Sequence, residues 1–224
     1  MTLAGDRRID RSTTVLVLSN IATILFAVVQ QWDVSVVMWI YWGQSVIIGY
    51  FNVRRMLALK QFSTENFRIN NRPAEPTRKT QRQTALFFAV HYGGFHLAYL
   101  VFLFAENSIG SGIASAGVAA CILIFFFNHR YSYGYNRERD VARKPNLGFI
   151  MFFPYVRIIP MHTMILAGSH FAGDSTARLV MFLVLKTLAD VAMHVIEHSR
   201  AGKTGLTGIA ESETDQEKKG HSGF

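Results

Sequence analysis

Residues 179–200 read LVMFLVLKTLADVAMHVIEHSR, an apolar run interrupted at strict four-residue spacing by Lys186, Asp190, His194 and His198. A run of this kind predicts a membrane-spanning helix, which needs roughly 20 predominantly apolar residues. Residues four apart on a helix stack on one face, so the four ionisable groups form a stripe. Each is costly in hydrocarbon and calls for an ionic partner, a water-filled cavity or a ligand. The stripe is therefore the first candidate for a functional site.

The rest of the chain reads the same way. Half of its 224 residues are apolar and 17% are charged, below the roughly 25% usual for a soluble domain. Apolar runs recur at about 14–30, 34–53, 84–105, 112–128, 147–168 and 175–197. They predict an all-α fold, a polytopic bundle of six transmembrane helices. Residues 1–12 then form a cytoplasmic N-terminus, 13–199 the transmembrane domain and 200–224 a disordered cytoplasmic tail. There is no sign of a soluble domain, a nucleotide-binding loop or an internal repeat.

The net charge of +8 would suit nucleic acid, but the placement of the charges points to lipid. Twenty of the 23 Lys and Arg residues fall before residue 12, within 54–82, within 129–146 or after 199, and the turns near 31–33, 106–111 and 169–174 have none. This alternation is the positive-inside pattern, with both termini on the cytoplasmic side of the cell inner (plasma) membrane. The bilayer is the expected partner, and nucleic acid is not. The first span is read as a retained helix instead of a signal peptide, because no clear small-residue cleavage site follows it. Cys121, the single cysteine, excludes an internal disulfide.

Several stretches carry structural expectations. QFSTENFRINNRPAEPTRKTQRQ (61–83), with Pro73 and Pro76, predicts an exposed loop. Gly112, Ala116 and Ala120, flanked by Ser111, Ser115 and Ala119, form a small-residue stripe suited to helix contact within the bundle or in a homodimer. Pro154 and Pro160 should kink the fifth span. Trp32, Trp39, Trp42 and the tyrosines of 131–135 suit interfacial anchors.

A rise of 1.5 Å per residue assigns a depth to each polar residue. Asp190, His194 and His91 can share a layer in the cytoplasmic half, while Lys186, His96, His162 and Arg157 can share one nearer the midplane. Asp190, His194 and His198 offer metal-ligand side chains at i, i+4 spacing. A metal needs three or four ligands, so a second helix must contribute, and His91, His129, Asn128 and Gln44 are the candidates by depth. His91 and His96 lie five residues apart, about 140° around a helix, so one of them faces elsewhere. Arg157 keeps its charge and needs an anionic or carbonyl partner, for which Asp190 is the natural choice. The competing structural reading is a buried Lys186–Asp190 pair, with His194 and His198 wetted near the headgroups.

The segments YWGQSVIIGYFN, HYGGFH, PYVRIIPMH and KTLADVAMHVIEH, in that order, resemble a prokaryotic family of uncharacterised integral membrane proteins, over roughly residues 12–200. The resemblance implies a membrane fold and brings no activity with it. In that family the second-span motif carries a Glu-Asn pair where this chain has Gln44 and Ser45. His194 and His198 are also similar to the zinc-binding His pair in the last spans of a membrane-hydrolase superfamily that includes alkaline ceramidases, an analogy resting on two residues.

Three functions follow as expectations. The first is an intramembrane hydrolase of a lipid-like or small-molecule substrate, dependent on a divalent metal such as zinc. Its ligands would be His91, Asp190, His194 and His198, with Asp190, Lys186 and Arg157 as catalytic candidates. The second is an ion- or proton-coupled transporter whose path is lined by His96, His162, Lys186 and Asp190. The third is a non-catalytic subunit or assembly factor bound to a membrane-protein partner.

Overall fold

Each apolar run of the sequence contains a helix, because a backbone in hydrocarbon must satisfy its own hydrogen bonds. The computed structural model describes residues 14, 17–18, 20–25, 27–106, 113–142, 144–167 and 174–196. In chain order the elements are α1 (Asn20–Val29), α2 (Val34–Ala58), a small hairpin of β1 (Arg68–Ile69) and β2 (Arg72–Pro73), α3 (Arg78–Glu106) and α4 (Ile113–Ala142). Then come α5 (Leu147–Phe152), a 3-10 segment (Phe153–Arg157), α6 (Ile158–Ala167) and α7 (Ser175–Ile196). Among the described residues four segments are long and apolar enough to cross a membrane: α2, α3, Leu147–Leu166 and α7. The fold is all-α and that of a membrane protein. The expected terminal segments 1–12 and 200–224 lie outside the described residues.

Helix α2 is the axis of the bundle. Half of its apolar window is buried inside the protein, against 22–33% for the other three spanning segments. Asp33 starts it, its carboxylate accepting from the Ser35 N–H at 2.8 Å. At the far end the side chains of Arg78 and Gln81 reach back from α3. Gln81 Nε2 donates to the Met56 and Leu59 carbonyls, and Arg78 Nη1 donates to the Leu59 carbonyl. The last carbonyls of α2 are thus satisfied by the next helix. On α3 the buried residues Thr84, Ala85, Phe88, Tyr92, His96, Tyr99 and Leu103 recur every three or four positions and form one bundle-facing stripe.

Close helix approach depends on glycines of α2. A Cβ added at Gly43 would lie 2.5 Å from Ile122 Cδ1 of α4, and one at Gly49 would lie 2.6 Å from Tyr92 Cε1 of α3. This corrects the expectation that the α4 stripe makes the close contact within the bundle. Ala116, Ala119 and Ala120 are exposed, nothing lies within 4 Å of a Cβ built at Gly117, and Val118 is the residue buried beside them. Ser111 and Gly112 lie outside the described residues. Gly93 and Gly94 likewise meet nothing within 4 Å, so no helix among the described residues uses them for close approach.

The polar connections hold more structure than expected. Asn70 and Asn71, both at positive φ, make the two-residue turn of the β1–β2 hairpin. Phe62 and Phe67 are buried, and Phe67 packs on Gly148 of α5. Ser63 exchanges backbone hydrogen bonds with Pro145 and Leu147 at 3.0 and 2.9 Å. Helix α4 continues through most of the expected 129–146 connection, because nothing in YSYGYNRERDVA breaks it.

The kink expected in the fifth span is a change of helix type. Pro154 lacks an N–H, so the Ile150 carbonyl four residues earlier loses its helical donor. Asn52 of α2 supplies the replacement, its Nδ2 donating to the Ile150 carbonyl at 2.9 Å. Asn52→Leu should therefore cost about 1–3 kcal/mol by leaving that carbonyl unsatisfied. The melting temperature in detergent should fall, and Asn52→Leu/Pro154→Ala should recover part of the loss by restoring a backbone donor. An unchanged melting temperature for the single variant would show that the bond carries no weight.

Candidate functional site

Arg157 ends the 3-10 segment Phe153–Arg157 and faces the bundle. A guanidinium cannot shed its charge, so the surroundings must compensate it. Its Nη1 lies 3.7 Å from Asp190 Oδ1 on α7. Its Cζ sits over the Tyr41 ring of α2, 4.6 Å from the centroid, where the ring quadrupole favours a cation. Its Nε lies 3.5 Å from Ser45 Oγ, and the Tyr41 hydroxyl donates to the Arg157 carbonyl at 3.1 Å. Phe182 of α7 meets the Tyr41 ring edge-on at 5.4 Å.

Asp190 has a second cation. Lys186, one turn back on α7, donates to Asp190 Oδ2 at 2.6 Å and to Asn20 Oδ1 of α1 at 3.4 Å. The Lys186, Asp190 and Arg157 side chains are 28%, 19% and 10% exposed. The expected Arg157–Asp190 and Lys186–Asp190 contacts are both present, and together with Tyr41, Ser45 and Asn20 they tie α1, α2, the broken helix and α7 at one point.

A second group of polar residues lies along the buried face of α3. His96 Nδ1 donates to the Tyr92 carbonyl at 2.8 Å, which in the neutral ring leaves Nε2 as an acceptor. Its ring stacks on Tyr92 with centroids 4.2 Å apart and meets Tyr99 edge-on at 5.6 Å. The Tyr99 hydroxyl lies 3.4 Å from His162 Nδ1 of α6. The Tyr92 hydroxyl donates to the Ser45 carbonyl at 3.2 Å, bringing this row to the residue that touches Arg157.

The remaining candidates are dispersed. His91 is exposed, with Nδ1 2.9 Å from the Tyr155 hydroxyl, so of the two α3 histidines His96 is the one that faces inward. His129 is half-buried between Phe51 and Phe125, Asn128 beside it is exposed, and Gln44 is half-buried on α2. His194 is half-buried one turn beyond Asp190, and His198 lies outside the described residues. Among the described residues no three His, Cys, Asp or Glu side chains come together to hold a metal. The expected convergence of His91, Asp190 and His194 does not occur, because His91 turns to Tyr155 while Asp190 is taken by Lys186 and Arg157.

The sequence reading missed Tyr92, Tyr99 and Asn20. The two tyrosines stand at i−4 and i+3 from His96, so helical spacing alone would have put them on its face. Trp42, expected as an interfacial anchor, instead donates from Nε1 to the His96 carbonyl at 2.9 Å.

The chain belongs to the family of unknown function DUF6498, whose model matches residues 2–206. No curated protein and no solved structure matches it. The match bears out the resemblance to an uncharacterised family and brings no activity with it.

The shared carboxylate sets a stability order. Asp190→Asn leaves two cations facing each other and should cost on the order of 3–5 kcal/mol. Lys186→Met, which keeps the Arg157–Asp190 pair, should cost less, and Lys186→Met/Asp190→Asn should fall between them. Thermal melting in detergent ranks the three. If Asp190→Asn melted with the wild type, the carboxylate would not be holding the cluster.

Proposed function

We propose that this chain is a proton-coupled transporter of the inner membrane, with six spans and both termini cytoplasmic. The observation that carries the reading is the row of polar groups from His162 and Tyr99 through His96 and Tyr92 to Ser45, Arg157, Asp190 and Lys186. Each neighbour is within 2.6–3.7 Å or in ring contact. Ionisable groups held inside an apolar bundle mark substrate and proton pathways. Orientation rests on the basic residues that flank alternate ends of the apolar runs.

Two further features favour transport over hydrolysis. Arg157 closes a 3-10 segment within the otherwise continuous helix Leu147–Leu166, a local change of geometry that turns its charge into the bundle. Metal-dependent hydrolysis has no support in the donor geometry of the described residues. In the transport reading the charged cluster is the substrate site, and His96, whose Nε2 can take a proton, is the coupling group.

Reconstitution into liposomes loaded with a pH-sensitive dye tests this. A panel of inorganic ions and organic acids should include at least one species whose addition drives proton flux. His96→Gln keeps an amide donor for the Tyr92 carbonyl, and it should reduce that flux to a small fraction while the melting temperature holds. If folded wild-type protein gave no flux with any member of the panel, transport would be refuted.

A further inference from the structure

We infer that the Arg157–Lys186 pair is a receptor for the carboxylate of a monoanionic substrate, with Asp190 as its resident counter-ion. The inference rests on the transport reading for its purpose and on the charge balance of the cluster for its chemistry. Among the described residues the ion-paired set contains two cations and one carboxylate, a formal charge of +1. An uncompensated charge inside an apolar bundle is costly, and one arriving negative charge neutralises the set.

Donor capacity points the same way. A guanidinium presents five N–H donors in a rigid fork matched to the two oxygens of a carboxylate. Here Nε reaches Ser45 Oγ at only 3.5 Å, and Nη1 stands 3.7 Å from Asp190 Oδ1. Asp190 gives its short contact, 2.6 Å, to Lys186. The Arg157 fork is thus held in place without being saturated. The Tyr41 ring beneath Cζ holds the guanidinium in position, and the Tyr41 hydroxyl on the Arg157 carbonyl fixes the backbone behind it. Exposure rises from Arg157 through Asp190 to Lys186, so the cluster is most open at the lysine end. A carboxylate entering there would meet the ammonium first and the fork second.

A dianion would overshoot the charge balance, and a neutral hydroxyl would leave it unchanged. The carboxylate could come from a fatty acid in the bilayer or from a small soluble organic acid, and chain length separates the two. Binding to the purified full-length protein in a non-ionic detergent would be measured for acetate, butyrate, decanoate, decanol and inorganic phosphate. Saturable binding of carboxylates without decanol or phosphate binding is expected. Decanoate alone would identify a membrane-borne acid, and acetate or butyrate would identify a soluble one.

Arg157→Lys keeps the charge and loses the fork, and it should weaken carboxylate binding by about 10–100-fold. Should that variant fail to fold, Lys186→Gln, which leaves the Arg157–Asp190 pair in place, should show a comparable loss. Equal binding of decanol and decanoate, preference for phosphate, or carboxylate binding unaffected by Lys186→Gln would overturn the inference. Carboxylate binding without proton flux would refute transport and leave the receptor standing. Flux driven only by species without a carboxylate would do the reverse.

Discussion

The bundle turns on the ion pair between Arg157 and Asp190. An arginine in an apolar bundle is tolerable only beside an anion or a set of oriented acceptors. Arg157 has Asp190, the Tyr41 ring and Ser45 Oγ. Those partners come from α7 and α2, while Asp190 recruits Lys186, and through it Asn20 of α1. Compensating one charge therefore fixes the relative positions of four parts of the chain. Lipid offers little hydrophobic drive between helices, so such polar contacts and close packing carry the specificity of assembly.

Close packing comes from α2. Its glycines at 43 and 49 admit Ile122 and Tyr92, and its Asn52 replaces the donor missing at Pro154. That substitution lets the fifth span change to 3-10 geometry without leaving the Ile150 carbonyl unsatisfied. The change of geometry in turn leaves Arg157 facing Tyr41 and Ser45. Central packing, the helix break and the charged cluster thus form one chain of cause, from residues of α2 to the orientation of a guanidinium.

Much of this was legible in the sequence. The apolar runs located the helices, the unsheddable charge of Arg157 called for Asp190, and four-residue spacing set Lys186 beside the same carboxylate, because charges in hydrocarbon have few partners to choose from. The five-residue separation of His91 and His96 correctly placed them on different faces. Depth says nothing about rotation, however. His91 has a depth compatible with Asp190 and still meets Tyr155, so among the described residues it does not join Asp190 and His194 around a metal. Composition also misled at the edges. The polar stretch 61–83 hides Phe62 and Phe67, the second of them packed on Gly148 of α5, and Trp42 turns inward to a carbonyl that hydropathy does not register. The small residues of α4 promised contact, but the close approach is made by glycines scattered among the large side chains of α2.

The buried charges have two proposed duties, holding the helices together and offering a net positive site to a substrate. The first duty underlies the second, since a guanidinium not anchored by Asp190 would be neither oriented nor tolerated. A double-mutant cycle with Arg157→Gln and Asp190→Asn, read by thermal or denaturant unfolding in detergent, measures it most directly. The account predicts a coupling energy of roughly 1–3 kcal/mol between the two positions. Additivity within about 0.5 kcal/mol would contradict it, showing that the two charges do not depend on each other.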